Sequence, residues 1–166
     1  MAPTSEVQVQ GTLRHTALVY KRSSRVATWL APVFLLFVRL YWGWQFAQTG
    51  WGKLHSLPTV IDFFASLGIP APGVSAVLIA LIEFAGGIFL AFGIGSRFWA
   101  LLLACDMMGA YLTAGRGNLF AIFSDPGKFY GDDAFTFLLA SIIVFIFGPG
   151  KISVDDLLAD FFGLHP

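Results

Sequence analysis

Charge is the scarcest property of this 166-residue chain, because only 12% of its residues are Asp, Glu, Lys or Arg. Soluble domains carry about 25% charged residues. With 57% hydrophobic residues, among them 18 Phe and 5 Trp, the chain has too little charge to cover a water-facing surface. The composition therefore argues against a soluble globular protein, excludes an intrinsically disordered one and predicts an integral membrane protein.

Cysteine and the common cofactor motifs are also scarce. The one cysteine, Cys105, excludes an intrachain disulfide and a multi-cysteine metal site, and it is expected to be a packed thiol in an apolar helix. The three histidines lack ligand spacing, so no metal site is expected. No haem, dinucleotide or phosphate-loop motif encodes a cofactor. The formal net charge is zero, so no basic surplus attracts nucleic acid.

Four apolar stretches have about the 20 residues that a membrane-spanning helix needs. The alternation of a membrane β-strand is missing, so the prediction is an all-α fold, a four-transmembrane-helix bundle. The predicted spans are 28–50, 73–95, 97–115 and about 130–148. A tight turn at Gly95-Ser96-Arg97 makes the second and third spans antiparallel neighbours. The predicted organisation is a basic cytoplasmic N-terminal arm (1–27), a membrane domain (28–150) and a short cytoplasmic C-terminal tail (151–166).

Lysine and arginine residues beside the spans predict their orientation, since these residues are enriched on the cytoplasmic side. Six lie on the side of both termini (Arg14, Lys21, Arg22, Arg25, Arg97, Lys151) and three on the other (Lys53, Arg116, Lys128). Both termini are therefore expected to be cytoplasmic in a plasma (inner) membrane. In the outer loop 51–72, apolar residues at helical spacing predict a short interfacial or re-entrant helix.

Three charged residues, Arg39, Glu83 and Asp106, each lie near the middle of a different predicted span. A charge at the centre of a membrane helix costs about 2.5–3.5 kcal/mol on insertion scales, so these side chains are expected to face one another or a polar cavity. Arg39 is expected to pair with Glu83 or Asp106. One arginine cannot neutralise two carboxylates in a dry interior, so either one acid is protonated or water enters. Two interpretations stay open: an ion pair that fixes helix register, and a ligand or proton site.

Aromatic residues and a lysine lie toward the outer end of the first predicted span. Tyr41, Trp44 and Trp51 form either an interfacial belt or an aromatic wall for a flat ring. Lys53 either extends its ammonium group to the interface or binds a carbonyl or an anion. These residues complete the set of candidate site residues.

Four segments together resemble the DoxX family of small bacterial and archaeal membrane proteins. They are VRLYWGWQFAQTGWGKL at 38–54, FFASLGIPAP at 63–72, IEFAGGIFLAFGIGSRFWAL at 82–101 and FGPGKISVDDLL at 147–158. The resemblance implies a four-helix membrane bundle. It also implies that the chain is related to DoxD, the subunit linked to thiosulfate:quinone oxidoreductase. It implies a role for the motif positions Arg39, Lys53 and Glu83, whereas a role for Asp106 rests on the depth argument alone.

The first functional hypothesis is a component of a membrane redox system, a quinone-linked oxidoreductase subunit. It would bind a quinone or a similar lipophilic ligand at the cluster of Arg39, Glu83 and Asp106. Because no redox centre is encoded, electrons would come from a redox partner subunit or a substrate. The alternatives are a non-catalytic subunit that anchors a larger membrane complex and, ranked lower, a small transporter or proton pathway. The expected partners are the lipid bilayer, the redox subunit and further copies in an oligomer.

Overall fold

Helices make up all the regular structure in the part of the chain that the computed structural model describes. It describes the backbone of residues 4–163 and the side chains of residues 14, 17, 20–25 and 28–163. The helices are α1 (Thr4–His55), α2 (Leu57–Ser66), α3 (Pro72–Phe92), α4 (Ser96–Leu112), α5 (Arg116–Phe120), α6 (Pro126–Tyr130), α7 (Asp133–Phe147) and α8 (Val154–Phe162). The all-α prediction is thereby confirmed for these residues. The outermost residues of the predicted arm and tail, 1–3 and 164–166, lie outside the described residues.

Two helical segments are long and apolar enough to cross a membrane, by length and composition: Tyr20–His55 in α1 and all of α3. The third and fourth predicted spans correspond to α4 and α7, which have 17 and 15 residues. At 1.5 Å per residue these helices are about 26 Å and 22 Å long, shorter than the roughly 30 Å hydrocarbon core. Four membrane crossings therefore stay a prediction.

The four longest helices pack around a shared core. α1 packs along α3 and α4 packs along α7, while α3 contacts α4 and α1 contacts α7. Buried apolar side chains from all four helices meet between them, including Phe46, Leu90, Leu103 and Val144. This arrangement brings residues from α1, α3 and α4 close enough to build one site.

Close approach of α1 and α3 depends on three glycines, Gly43, Gly50 and Gly87. A Cβ atom on Gly43 would lie 2.7 Å from the carbonyl oxygen of Gly87, and one on Gly50 would lie 2.7 Å from that of Ala80. Small residues at such positions let membrane helices approach closely. These contacts fix the antiparallel register of α1 on α3.

α1 extends past both predicted ends of the first span. The span is predicted to end at Gly50, but Gly50 is buried against α3 and the helix continues to His55. At the other end the helix runs without a break through residues 27 and 28, the predicted boundary of the N-terminal arm. Leu35 is the first buried residue among the described side chains of α1, so its packed part begins there.

Two predicted connections are present as local structures, although the tight turn lies at 93–95 and not at the predicted Gly95-Ser96-Arg97, because Ser96 and Arg97 belong to α4. α3 ends at Phe92 and α4 begins at Ser96, and Gly93 (φ 74°) and Gly95 (φ 56°) supply the left-handed backbone of this tight turn. In the loop 51–72 the expected short helix is α2, none of whose residues is buried. The position of α2 relative to a membrane stays a prediction.

Candidate functional site

A partly buried ion pair joins the last turn of α1 to α3. The Nζ atom of Lys53 donates a hydrogen bond to Oε1 of Glu83 over 2.6 Å. The Glu83 side chain is 2% exposed and that of Lys53 is 31% exposed. Lys53 reaches Glu83 because α1 continues as a helix beyond Gly50, which keeps the lysine on the side that faces α3.

Asp106 of α4 completes a cluster of three charged groups. It lies within hydrogen-bonding reach of Glu83 and in the electrostatic field of both Glu83 and Lys53. Two buried carboxyl oxygens, Oε2 of Glu83 and Oδ2 of Asp106, have no hydrogen-bond donor among the described residues. Glu83 and Asp106 therefore lie together, and their cation is Lys53.

A cavity of about 640 Å³ lies beside this cluster, between α2, α3 and α4. Its walls are mostly apolar, and the charged side chains that line it are Lys53 and Asp106. The apolar walls are Val60, Phe63, Phe64, Leu67, Ile69 and Pro70 from α2 and the following turn, Ile79 and Ile82 from α3, and Leu102, Met107 and Ala110 from α4. Pockets of this volume, apolar with a few convergent polar groups, are typical of small-ligand sites.

Cys105 also lines the cavity and is exposed, so the prediction of a packed thiol is wrong. Its neighbour Asp106 lines the same cavity. Phe63 of α2, on the side of the cavity opposite Cys105, is half exposed. These exposed residues place the opening of the cavity between α2 and α4.

The predicted aromatic wall lies elsewhere. Tyr41, Trp44 and Trp51 are each at least half exposed on α1, and none of them is among the residues that line the cavity. Trp51 packs beside His55 and Phe84 instead. The aromatic side chains that do line the cavity, Phe63 and Phe64, come from the loop helix α2.

Arg39 does not pair with Glu83 or Asp106, and that prediction is wrong. Its guanidinium is buried at the other end of the helix packing, where Nη2 donates to the carbonyl oxygen of Ile152. A Cβ atom on Gly93, in the turn between α3 and α4, would collide with this guanidinium. Arg39 thus lies at the level of that turn.

The misplacement of Arg39 has a geometric cause. Arg39 could pair with Glu83 or Asp106 only if the centres of the three predicted spans lay at the same depth. Since Gly43 packs against Gly87 and Ala91 on the antiparallel helix, the end of α3 at Phe92 lies opposite Arg39. Along α1, Lys53 is 14 residues further on, about 21 Å away at 1.5 Å per residue, and it lies beside Glu83.

The C-terminal motif is held at the Arg39 end by Asp155. The carboxylate of Asp155 accepts hydrogen bonds from the backbone N–H groups of Gly95 (2.7 Å) and Ser96 (2.8 Å), at the start of α4. Its own backbone N–H donates to the carbonyl oxygen of Gly93 over 2.9 Å. Asp155 also attracts the guanidinium of Arg39. The segment after α7 is therefore tied to the turn between α3 and α4.

Replacing Asp155 by Ala is expected to lower the free energy of unfolding by about 2 kcal/mol, because hydrogen bonds to a charged group contribute about 1.5–3 kcal/mol each and this carboxylate is partly exposed. The matched control is Asp156→Ala in the same turn of α8. Unfolding in detergent, followed by circular dichroism, measures the difference. Equal stability of the two variants would contradict this role of Asp155.

A family model described as DoxX matches residues 34–116, half of the chain. The chain belongs to the DoxX family. The matched segment of this DoxX protein includes Arg39, Lys53, Glu83 and Asp106, so every charged residue of the cavity lies in the family domain. Asp155 lies beyond it.

Two curated relatives of this DoxX protein cover most of its length. It is 31% identical to "Putative oxidoreductase CatD" of Bacillus subtilis over 120 residues, 72% of this chain and 83% of the relative. It is 28% identical to "Inner membrane protein YqjF" of Escherichia coli over 135 residues, 78% of this chain and 95% of the relative. No solved structure matches the chain.

The sequence of this DoxX protein pointed to all three charged residues at the centre of the site. Lys53, Glu83 and Asp106 are all candidates from the sequence. The sequence predicts that Lys53 reaches the interface or a ligand, whereas the structure pairs it with Glu83. The lining contributed by α2 was missed, because its apolar residues fit an interfacial helix equally well. The length of α1 is the signal that could identify the partner of Lys53. If the helix does not end at Gly50, Lys53 stays in α1 and faces α3.

Proposed function

We propose that this DoxX protein is a component of a membrane redox system and binds a quinone, or a lipophilic ring of similar size, in the cavity beside Lys53 and Asp106. The observation that carries the proposal is the combination of an apolar cavity of about 640 Å³ with a charged cluster at its wall. A quinone has this dual character, since its ring and tail are apolar and its two carbonyl oxygens accept hydrogen bonds. The name of the Bacillus subtilis relative, "Putative oxidoreductase CatD", supports the redox class.

In this proposal each group has a defined task. The ammonium group of Lys53 donates to one carbonyl oxygen, while Phe63 and Phe64 contact the face of the ring. The chain encodes no redox centre by motif, so electrons are supplied by a partner subunit or by a reduced substrate. The proposed site differs from the sequence hypothesis in its cation, because Arg39 lies about 21 Å away along α1.

The proposal includes a topology with four crossings, α1, α3, α4 and α7, and with both termini in the cytoplasm. The mutual packing of these four helices supports it, as do the apolar composition of the chain and the positive residues near both termini. The name of the Escherichia coli relative, "Inner membrane protein YqjF", supports the inner membrane as the location. In this orientation the cavity lies in the outer half, and its opening between α2 and α4 admits a ligand from the lipid.

Cys105 provides a test of the ligand, because it is the only thiol in the sequence and it lines the cavity. We expect a short-chain ubiquinone to slow the reaction of Cys105 with N-ethylmaleimide several-fold, since a bound ring would cover the sulfur atom. The purified full-length protein in detergent is labelled with and without the ubiquinone, and mass spectrometry measures the rate.

Two controls separate specific binding from general coating of the protein. Leu101→Cys in a Cys105→Ser background places a thiol on α4 at an exposed position outside the cavity, where the ubiquinone should give no protection. An alkylbenzene of similar size, which lacks carbonyl oxygens, should protect Cys105 less. If the thiol introduced by Leu101→Cys is protected as strongly as Cys105, the ligand proposal is wrong and a non-catalytic anchoring subunit becomes the better interpretation.

A further inference from the structure

Two acids on different helices meet beside the cavity with incomplete hydrogen bonding. Oε1 of Glu83 accepts from Lys53, but Oε2 is buried and receives no donor among the described residues. Oδ2 of Asp106 is also buried and receives no hydrogen bond from the described residues. Buried polar atoms in native proteins are nearly always paired, so two unpaired oxygens in one place call for a physical explanation.

A hydrogen between the two carboxyl groups explains both oxygens at once. Two ionised carboxylates can only accept hydrogen bonds, whereas a protonated one donates. Asp106 lies within hydrogen-bonding reach of Glu83. Because Glu83 is 1% exposed, water at the surface cannot donate a hydrogen bond to its free oxygen. One proton held between the groups would therefore satisfy Oε2 of Glu83 and Oδ2 of Asp106 together.

The charge balance of the site leads to the same result. The charged groups that face Asp106 are Lys53 from α1 and Glu83 from α3. α2 carries Asp62, which is exposed and outside the cavity lining, and α7 carries Asp133 at its exposed start. One lysine balances one carboxylate, so a second ionised acid would leave a net negative charge in an apolar environment. A single shared proton makes the cluster neutral.

We propose that Glu83 and Asp106 share one proton, and that this neutral cluster leaves the ammonium group of Lys53 as the hydrogen-bond donor that the cavity offers to a carbonyl oxygen of its ligand. Asp106 lines the cavity, whereas Glu83 is buried and holds Lys53 in place through its other oxygen, Oε1. The class of ligand is a neutral molecule with a carbonyl acceptor. The part that concerns the ligand rests on the proposed function, whereas the shared proton does not.

Infrared spectroscopy of the full-length protein near neutral pH tests the shared proton. We expect one carboxylic acid C=O band in the wild type that is lost in Asp106→Asn and equally in Glu83→Gln, because in either variant Lys53 neutralises the remaining acid. Asp62→Asn, at an exposed position outside the cluster, should keep the band. Carbon-13 labelling of Asp or Glu carboxyl groups in the wild type checks the same assignment without a variant, since either label should shift the band.

Each outcome decides a separate part of the inference. Absence of the band in the wild type would overturn the shared proton, whatever the ligand does. A shift of the band on aspartate labelling only would also overturn it, whichever variants lose the band, and leave a simple protonated aspartic acid. If the band is present and Lys53→Met leaves the protection of Cys105 by short-chain ubiquinone unchanged, the proton pair stands and the role of Lys53 as donor to the ligand is wrong.

Discussion

Gly50→Ala and Gly87→Ala are each expected to lower the free energy of unfolding by about 3 kcal/mol, the upper part of the usual range for overpacking. A Cβ atom on Gly87 would lie 2.5 Å from the backbone nitrogen of Ala47, and one on Gly50 would lie 2.7 Å from the carbonyl oxygen of Ala80. These obstructing atoms belong to the backbone, so no side chain can move aside. The added methyl group must therefore push α1 and α3 apart.

The matched control for these variants is Gly52→Ala. It lies on α1 two residues from Gly50, but a Cβ atom there meets nothing within 4 Å. Since Ala has a higher helix propensity than Gly, this variant should be as stable as the wild type or slightly more stable. Denaturation of the full-length proteins in mixed micelles, followed by circular dichroism, gives the comparison. If Gly50→Ala unfolds like Gly52→Ala, the proposed register of α1 on α3 is wrong.

Lys53→Met is expected to lower the free energy of unfolding by about 3 kcal/mol, the lower end of the range for removing one partner of a buried ion pair. The lower end applies because Lys53 is 31% exposed, whereas Glu83 keeps an almost fully buried charge. The double variant Lys53→Met/Glu83→Gln should recover most of this loss, since it removes both charges. Replacing both members of a buried pair is often neutral.

A second ion pair in the chain serves as the control for this double-variant cycle. Lys128 and Asp125 are 3.4 Å apart and both side chains are more than half exposed. Lys128→Met should change the free energy of unfolding by less than about 1 kcal/mol, as is usual for an exposed pair. A double variant of Lys53 and Glu83 that is no more stable than Lys53→Met would contradict the pairing.

The amino-acid sequence determined the all-α class, the tight turn before α4 and the fact that Glu83 and Asp106 face the protein interior. These features depend on neighbours along the chain. A long apolar stretch with little charge can satisfy its backbone in lipid only as a helix. Two glycines, Gly93 and Gly95, permit the left-handed turn. A charge in such a stretch does not face the lipid, because transferring a charged group from water into lipid is costly.

Only the tertiary structure decided which cation meets these acids and where the cavity lies. The periodicity of an apolar helix fixes which side faces inward, but not how far the helix slides along its neighbour. That distance is set by contacts between residues far apart in sequence, such as Gly50 with Ala80 and Gly43 with Gly87. The resulting register brings Lys53 to Glu83 and leaves Arg39 at the turn beside Ile152.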